Sequence, residues 1–119
     1  MSDIRANTIS DTSGNGPINL HKQSAAKAYG TPSPSAALDY DTFNIASATN
    51  NDTGDITLNL TSGMSSAAYN VTTTVYAASV GYISNIATLS STSLQMKSWD
   101  YAGTVVSTRA TAQAHGDLA

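Results

Sequence analysis

The sequence predicts an all-β fold, a compact antiparallel β-sandwich of jelly-roll-like form with an extended N-terminal arm. Three observations predict it. Thr, Val, Ile and Tyr, which suit a pleated and half-buried surface, recur through the chain, whereas Glu is absent and Lys and Leu, the usual filling of surface helices, are sparse. Ser and Thr make up roughly a quarter of the residues and join Asn, Asp and Gly in recurrent turn clusters. Between those clusters apolar and polar residues alternate, the period of a strand with one buried face.

Residues 4–20 read as extended. Ile4, Ala6 and Thr8 alternate with Arg5, Asn7 and Ile9, a dense turn signal follows at 11–17, and Ile18-Asn19-Leu20 resumes the pattern. Residues 23–28 are the one segment with helical propensity, too short to hold a helix without packing. Gly30-Thr31-Pro32-Ser33-Pro34-Ser35 breaks it and reads as a linker. The expected organisation is therefore an arm over 1–35 and a β-sandwich body over 36–119.

Within the body, Phe43, Ile45 and Ser47 alternate with Asn44, Ala46 and Ala48. A polar turn at 50–55 leads to Ile56, Leu58 and Leu60 on one face and Thr57 and Asn59 on the other, which predicts a hairpin. A long strand is expected over 69–80, with Tyr69, Val71, Thr73 and Val75 on one face. The stretch between Gly81 and Asn85 reads as mobile. Leu94 and Met96 alternate with Gln95, Lys97 and Trp99 before a turn at Asp100-Tyr101-Ala102-Gly103. The last strand runs over about 104–114. Its Val106, Thr108, Ala110, Ala112 and Ala114 make a small, uncharged face, expected to meet either other subunits or the core; Ser107, Arg109, Thr111 and Gln113 take the opposite side.

The length of 119 residues fits one domain. Its apolar share is 40%, much of it Ala, so the core is thin; a formal charge of -3 and 11% charged residues nonetheless argue against disorder. Such a chain is suited to completing its core against copies of itself. Without Cys there is neither a disulfide nor a thiolate metal site. Five Lys and Arg against eight Asp argue against an electrostatic nucleic-acid footprint. No apolar run approaches a membrane span, and Met1-Ser2-Asp3-Ile4-Arg5 lacks the apolar stretch of a signal peptide.

Catalytic patterns are weak. Asp52-Thr53-Gly54 matches the aspartic-protease tripeptide, but it lacks the apolar neighbours that would make two carboxyls share a proton and reads as a hairpin loop. Asp39, Asp41, Asp52 and Asp55 lack the spacing of a Ca²⁺ loop and read as solvated turn acids. His21 and His115 have no thiolate companions, and no Ser sits in a nucleophile elbow. The expectation is no enzyme, no cofactor and no metal. Tyr82, Trp99, Asp100 and Tyr101 fall at strand ends or loops. Alternation from Leu94 and Met96 turns Trp99 outward, so these four are the candidate receptor-binding residues, with core filling as the other reading of the aromatics.

Three blocks near the start, Ile4-Arg5-Ala6-Asn7-Thr8-Ile9, Ser13-Gly14-Asn15-Gly16-Pro17-Ile18-Asn19-Leu20 and Gln23-Ser24-Ala25-Ala26-Lys27-Ala28, resemble the beginning of a family of trimeric bacteriophage tail-fibre proteins. Phe43-Asn44-Ile45-Ala46-Ser47, the run from Thr53 to Leu60, the turn from Met64 to Tyr69 and Gly116-Asp117-Leu118 resemble it too, over about half the chain. The chain departs from the pattern at Tyr29-Gly30-Thr31-Pro32 and at His115. The resemblance implies a homotrimer whose arm joins other virion tail proteins and whose body binds a host cell-surface receptor, carbohydrate or other. It implies a virion location, after synthesis in the host cytoplasm without a signal peptide. The alternative is a non-adhesive virion component, such as a capsid decoration trimer or a baseplate adaptor.

Overall fold

Among the described residues, seven strands take up the alternating stretches. The computed structural model describes them within residues 26–76 and 81–119. They are β1 (Ala28–Gly30), β2 (Ile45–Asp52), β3 (Asp55–Leu60), β4 (Asn70–Tyr76), β5 (Ile83–Leu89), β6 (Ser93–Trp99) and β7 (Arg109–His115). Every pairing is antiparallel. Two sheets result, a three-stranded one in the order β1-β7-β4 and a four-stranded one in the order β2-β3-β6-β5. No helix occurs among the described residues.

Period-two alternation fills the space between the sheets. From the four-stranded sheet, Ile56, Leu58 and Leu60 of β3 and Leu94 and Met96 of β6 are buried. Opposite them β7 contributes Ala110, Ala112 and Ala114, and β4 contributes the half-buried Val71, Thr73 and Val75. Large residues on one sheet thus meet small ones on the other. Each fully buried Leu or Met is worth about 1.5–3 kcal/mol. Met64 and Tyr69 extend the core, and the Tyr69 hydroxyl donates to the Ser93 carbonyl at 2.9 Å, so its polar end is satisfied inside.

Three devices join the layers. Tyr29 and Phe43 exchange two backbone hydrogen bonds of 3.0 Å, which ties β1 to the entry of β2. Asn44 follows in the left-handed region (φ 57), where Asn is tolerated, and its side chain latches two segments. Its Nδ2 donates to the carbonyls of Lys27 and Ser62, and its Oδ1 accepts from the Ser62 amide at 2.7 Å. At the opposite side Thr73 Oγ1 donates to the Ser84 carbonyl, linking β4 to β5.

The hairpin lies where the alternation put it, but its turn narrows to Thr53-Gly54. Gly54 has φ +62, and a Cβ on it would collide with the Val106 carbonyl oxygen, so the position requires glycine.

The described part of the helical expectation is extended instead. Ala28 opens β1 opposite Ala114, and Lys27 donates its amide to the Ala114 carbonyl at 2.7 Å, so pairing with β7 overrides a weak local propensity. The expected linker at 30–35 is packed: Pro32 and Ser33 are buried, and Ala28 is a core residue, which brings the body back to at least Ala28. The stretch read as mobile begins β5; a register shift between Ile86 and Thr88 breaks its period and hides the strand. The last strand starts at Arg109 rather than near 104. Residues 105 and 106 pair with β6 in the other sheet, through a Trp99–Val105 bridge and a Val106 amide donating to the Ser98 carbonyl. The expected arm over 4–20, and residues 77–80 of the expected long strand, lie outside the described residues.

Candidate functional site

Alternation along β6 buries Leu94, Met96 and Ser98 and turns Ser93, Gln95, Lys97 and Trp99 to the outer face of the four-stranded sheet. Strand register then assembles rows on that face. Asn85, Lys97 and Asp55 stand side by side, Gln95, Thr57 and Thr49 form the next row, and Ser93, Asn59 and Ser47 a third.

Hydrogen bonds join the rows into a ladder. Asn59 Nδ2 donates to Ser47 Oγ (3.0 Å) and Thr49 Oγ1 (3.2 Å), and Asn51 Nδ2 donates to Thr57 Oγ1 at 2.8 Å. Asp55 is the hub. Its Oδ1 accepts from Asn51 Nδ2 at 3.0 Å and Gln95 Nε2 at 2.7 Å, and Lys97 Nζ lies 3.1 Å from its Oδ2. These neighbours cover it, leaving its side chain 10% exposed on a face that otherwise meets water. Burial, the largest single influence, pushes its carboxyl upward; the donors from Asn51, Gln95 and Lys97 and the Lys97 charge together outweigh it and hold the carboxyl below its ordinary value. The expectation of a solvated turn acid is therefore corrected at Asp55. Asp52 does lie exposed at the hairpin tip, where its Oδ1 accepts from the Thr53 amide.

Beyond the ladder the same face becomes apolar. Ile83 stands opposite Trp99 on one side and Val105 opposite it on the other. Ile83 and Val105 are exposed, and Trp99 is half-buried between them. The adjoining turn is built by Asp100, whose Oδ1 accepts from the amides of Ala102 (2.9 Å) and Thr104 (2.8 Å), while Gly103 takes φ +81. Tyr101 is 89% exposed at this turn and lies against Gly81, where an added Cβ would come within 3.3 Å of its ring.

The structure thus brings Trp99, Asp100 and Tyr101 to one end of the four-stranded sheet. Asp100 serves the turn with its carboxylate. Tyr82 is half-buried just before β5, and alternation from Ile83 turns it away from Trp99. Of the small face of the last strand, Thr108, Ala110, Ala112 and Ala114 are buried within this one chain, and Val106 is half-buried beside Gly54.

Sequence reasoning missed Ile83, Val105 and the Asp55 hub. Gln95, Lys97 and Trp99 shared one parity and so were legible as one face; their partners depend on which strands pair, which no local signal states. Among the described residues no three His, Asp or Glu side chains gather as a metal site would require. Comparison of this chain with protein-family models, with curated proteins and with solved structures gives no match.

Proposed function

We propose that the chain is a virion attachment protein of the tail-fibre type, a jelly-roll-like homotrimer that binds a host-surface glycan and carries out no catalysis. One observation supports this above the others: a preordered amide and hydroxyl ladder ends on the row Ile83-Trp99-Val105, with Tyr101 standing free beside it. A pyranose offers hydroxyls around its rim and C–H groups on its faces. The ladder suits the first, and an aromatic anchor such as Trp99 or Tyr101 suits the second. Because the ladder groups already bond one another, little side-chain freedom is lost on binding. Three copies on a trimer would turn a weak site into firm adhesion, and the arm would join the body to other tail proteins.

Adsorption of labelled protein to host cells tests the reading. Trp99→Ala and Tyr101→Ala should each weaken saturable, glycan-competed binding about tenfold, with oligomer mass by sedimentation unchanged. Absence of cell binding by the native chain, with the protein located on capsid faces, would refute adhesion in favour of a decoration role. A native chain sedimenting at its 12.2 kDa monomer mass would refute the trimer.

A further inference from the structure

The opposite, three-stranded sheet carries a second cluster with the chemistry of a binding site. Arg109 of β7 stands beside Tyr76 of β4 in register. Its guanidinium carbon lies 4.5 Å from the centroid of the Tyr40 ring, and Nη2 donates to Asp39 Oδ2 at 3.3 Å. The Tyr40 and Tyr76 rings have centroids 6.5 Å apart and are tilted by 59°, so they form an open angle rather than a closed stack. Both tyrosines are exposed, at 51% and 69%, whereas the Arg109 side chain against the Tyr40 ring is only 21% exposed.

Two features of the cluster leave room for a partner. Arg109 keeps 21% of its side chain exposed; its Nη1 is buried under the protein, so the part of the guanidinium open to a ligand is the side that carries Nη2 and faces Asp39. Asp39 meets Arg109 through a single long contact and is half-exposed, so its carboxylate retains accepting capacity toward solvent. The charges nearby decide the class of ligand. Asp39 and the exposed Asp41 flank Tyr40 and outnumber the one cation, so an anionic ligand is repelled. A vicinal diol is suited to the pair, one hydroxyl oxygen accepting from the guanidinium and the other hydroxyl donating to Asp39. The tyrosine rings are then free to cover the C–H face of the same ring. We propose that Tyr40, Tyr76, Arg109 and Asp39 form a second saccharide site, selective for a neutral pyranose, on the sheet facing away from Trp99. This site stands independently of what the four-stranded sheet binds.

Saturation-transfer NMR on the full chain tests it, with the methyl glycosides of glucose, galactose, mannose and N-acetylglucosamine as neutral probes and methyl glucuronide as the acidic one. Ring protons of at least one neutral glycoside should receive saturation. Tyr76→Ala and Asp39→Asn should each weaken its Kd about tenfold, and Asp52→Asn, at the exposed hairpin tip, should leave it within about twofold. Both informative variants alter exposed side chains, and thermal melts check that they fold. Four results would overturn the proposal: no transfer to any probe, transfer to methyl glucuronide alone, a Kd indifferent to both Tyr76→Ala and Asp39→Asn, or a Kd weakened as much by Asp52→Asn.

Discussion

Asp55→Ala asks whether an outward-facing carboxylate can be a structural hub. The change removes the acceptor of Asn51, Gln95 and Lys97 together. The losses are unequal. Asn51 keeps its bond to Thr57 Oγ1, and Lys97, with 38% of its side chain exposed, returns to water at small cost. Gln95 Nε2 is left without its acceptor beside a partly covered gap. Hydrogen bonds to a charged group are worth about 1.5–3 kcal/mol, so the expected loss is about 2–3 kcal/mol, or roughly 10 °C in Tm for a chain of this size. Lys97→Ala should cost less than about 1 kcal/mol. The sign of the acid dependence follows from the folded state holding Asp55 below its ordinary value. The stabilisation is full above the unfolded carboxylate pKa, about 3.9, and is lost as pH falls through the lower folded one. Urea denaturation between pH 7 and pH 2 on native chain, Asp55→Ala and Asp55→Asn measures both effects. An Asp55→Ala variant within about 0.5 kcal/mol of native, or an acid limb identical in Asp55→Asn, would refute the hub.

Other substitutions probe the rest of the fold. Ala110→Asp places an unpaired charge at a position 3% exposed between the sheets, and should cost more than about 3 kcal/mol and abolish the cooperative thermal transition. Gly54→Ala forces a side chain into a left-handed turn against the Val106 carbonyl, and should cost at least about 2 kcal/mol by urea titration. Asp52→Asn alters an exposed hairpin tip and should change stability by less than about 0.5 kcal/mol in urea titration; a peptidase activity abolished by the change would refute the reading of a plain turn.

How much of this was legible depended on whether a residue's role was local. The β2–β3 hairpin could be read because Ile56, Leu58 and Leu60 alternate without a fault between turn residues. The buried face of β7 could be read from Ala110, Ala112 and Ala114, though parity alone left open whether its own chain or another covers it. β5 was hidden because a single irregularity after Ile86 moves Leu89 out of phase with Ile83. Pro32 and Ser33 looked like linker because Pro and Ser carry turn signals wherever they stand; their burial comes from packing across the fold. The aromatic end of the site was half legible. Parity put Trp99 outward, but its neighbours Ile83 and Val105 reach it from strands paired at a distance. Asp55 was the least legible, since a carboxylate in a polar turn looks alike whether water or Gln95 and Lys97 surround it.

The division of the core into a large-residue sheet and an alanine sheet gives the two layers opposite tolerances to sequence drift. Leu58, Leu94 and Met96 can shrink, each leaving a cavity that costs about 2–5 kcal/mol for truncation to Ala. Ala110, Ala112 and Ala114 can hardly shrink at all, and enlarging any of them overpacks the interior at about 1–3 kcal/mol. A loss on one layer is best recovered by a gain on the other, and paired changes that conserve the summed side-chain volume are a route by which the interior can drift. Exposed residues outside the Asp55 hub and the Arg109 cluster, such as Ile83 and Tyr101, carry no such volume constraint and can diversify singly. The chain thus joins an interior whose volume is shared between two layers to surface positions, away from those clusters, that can change one residue at a time.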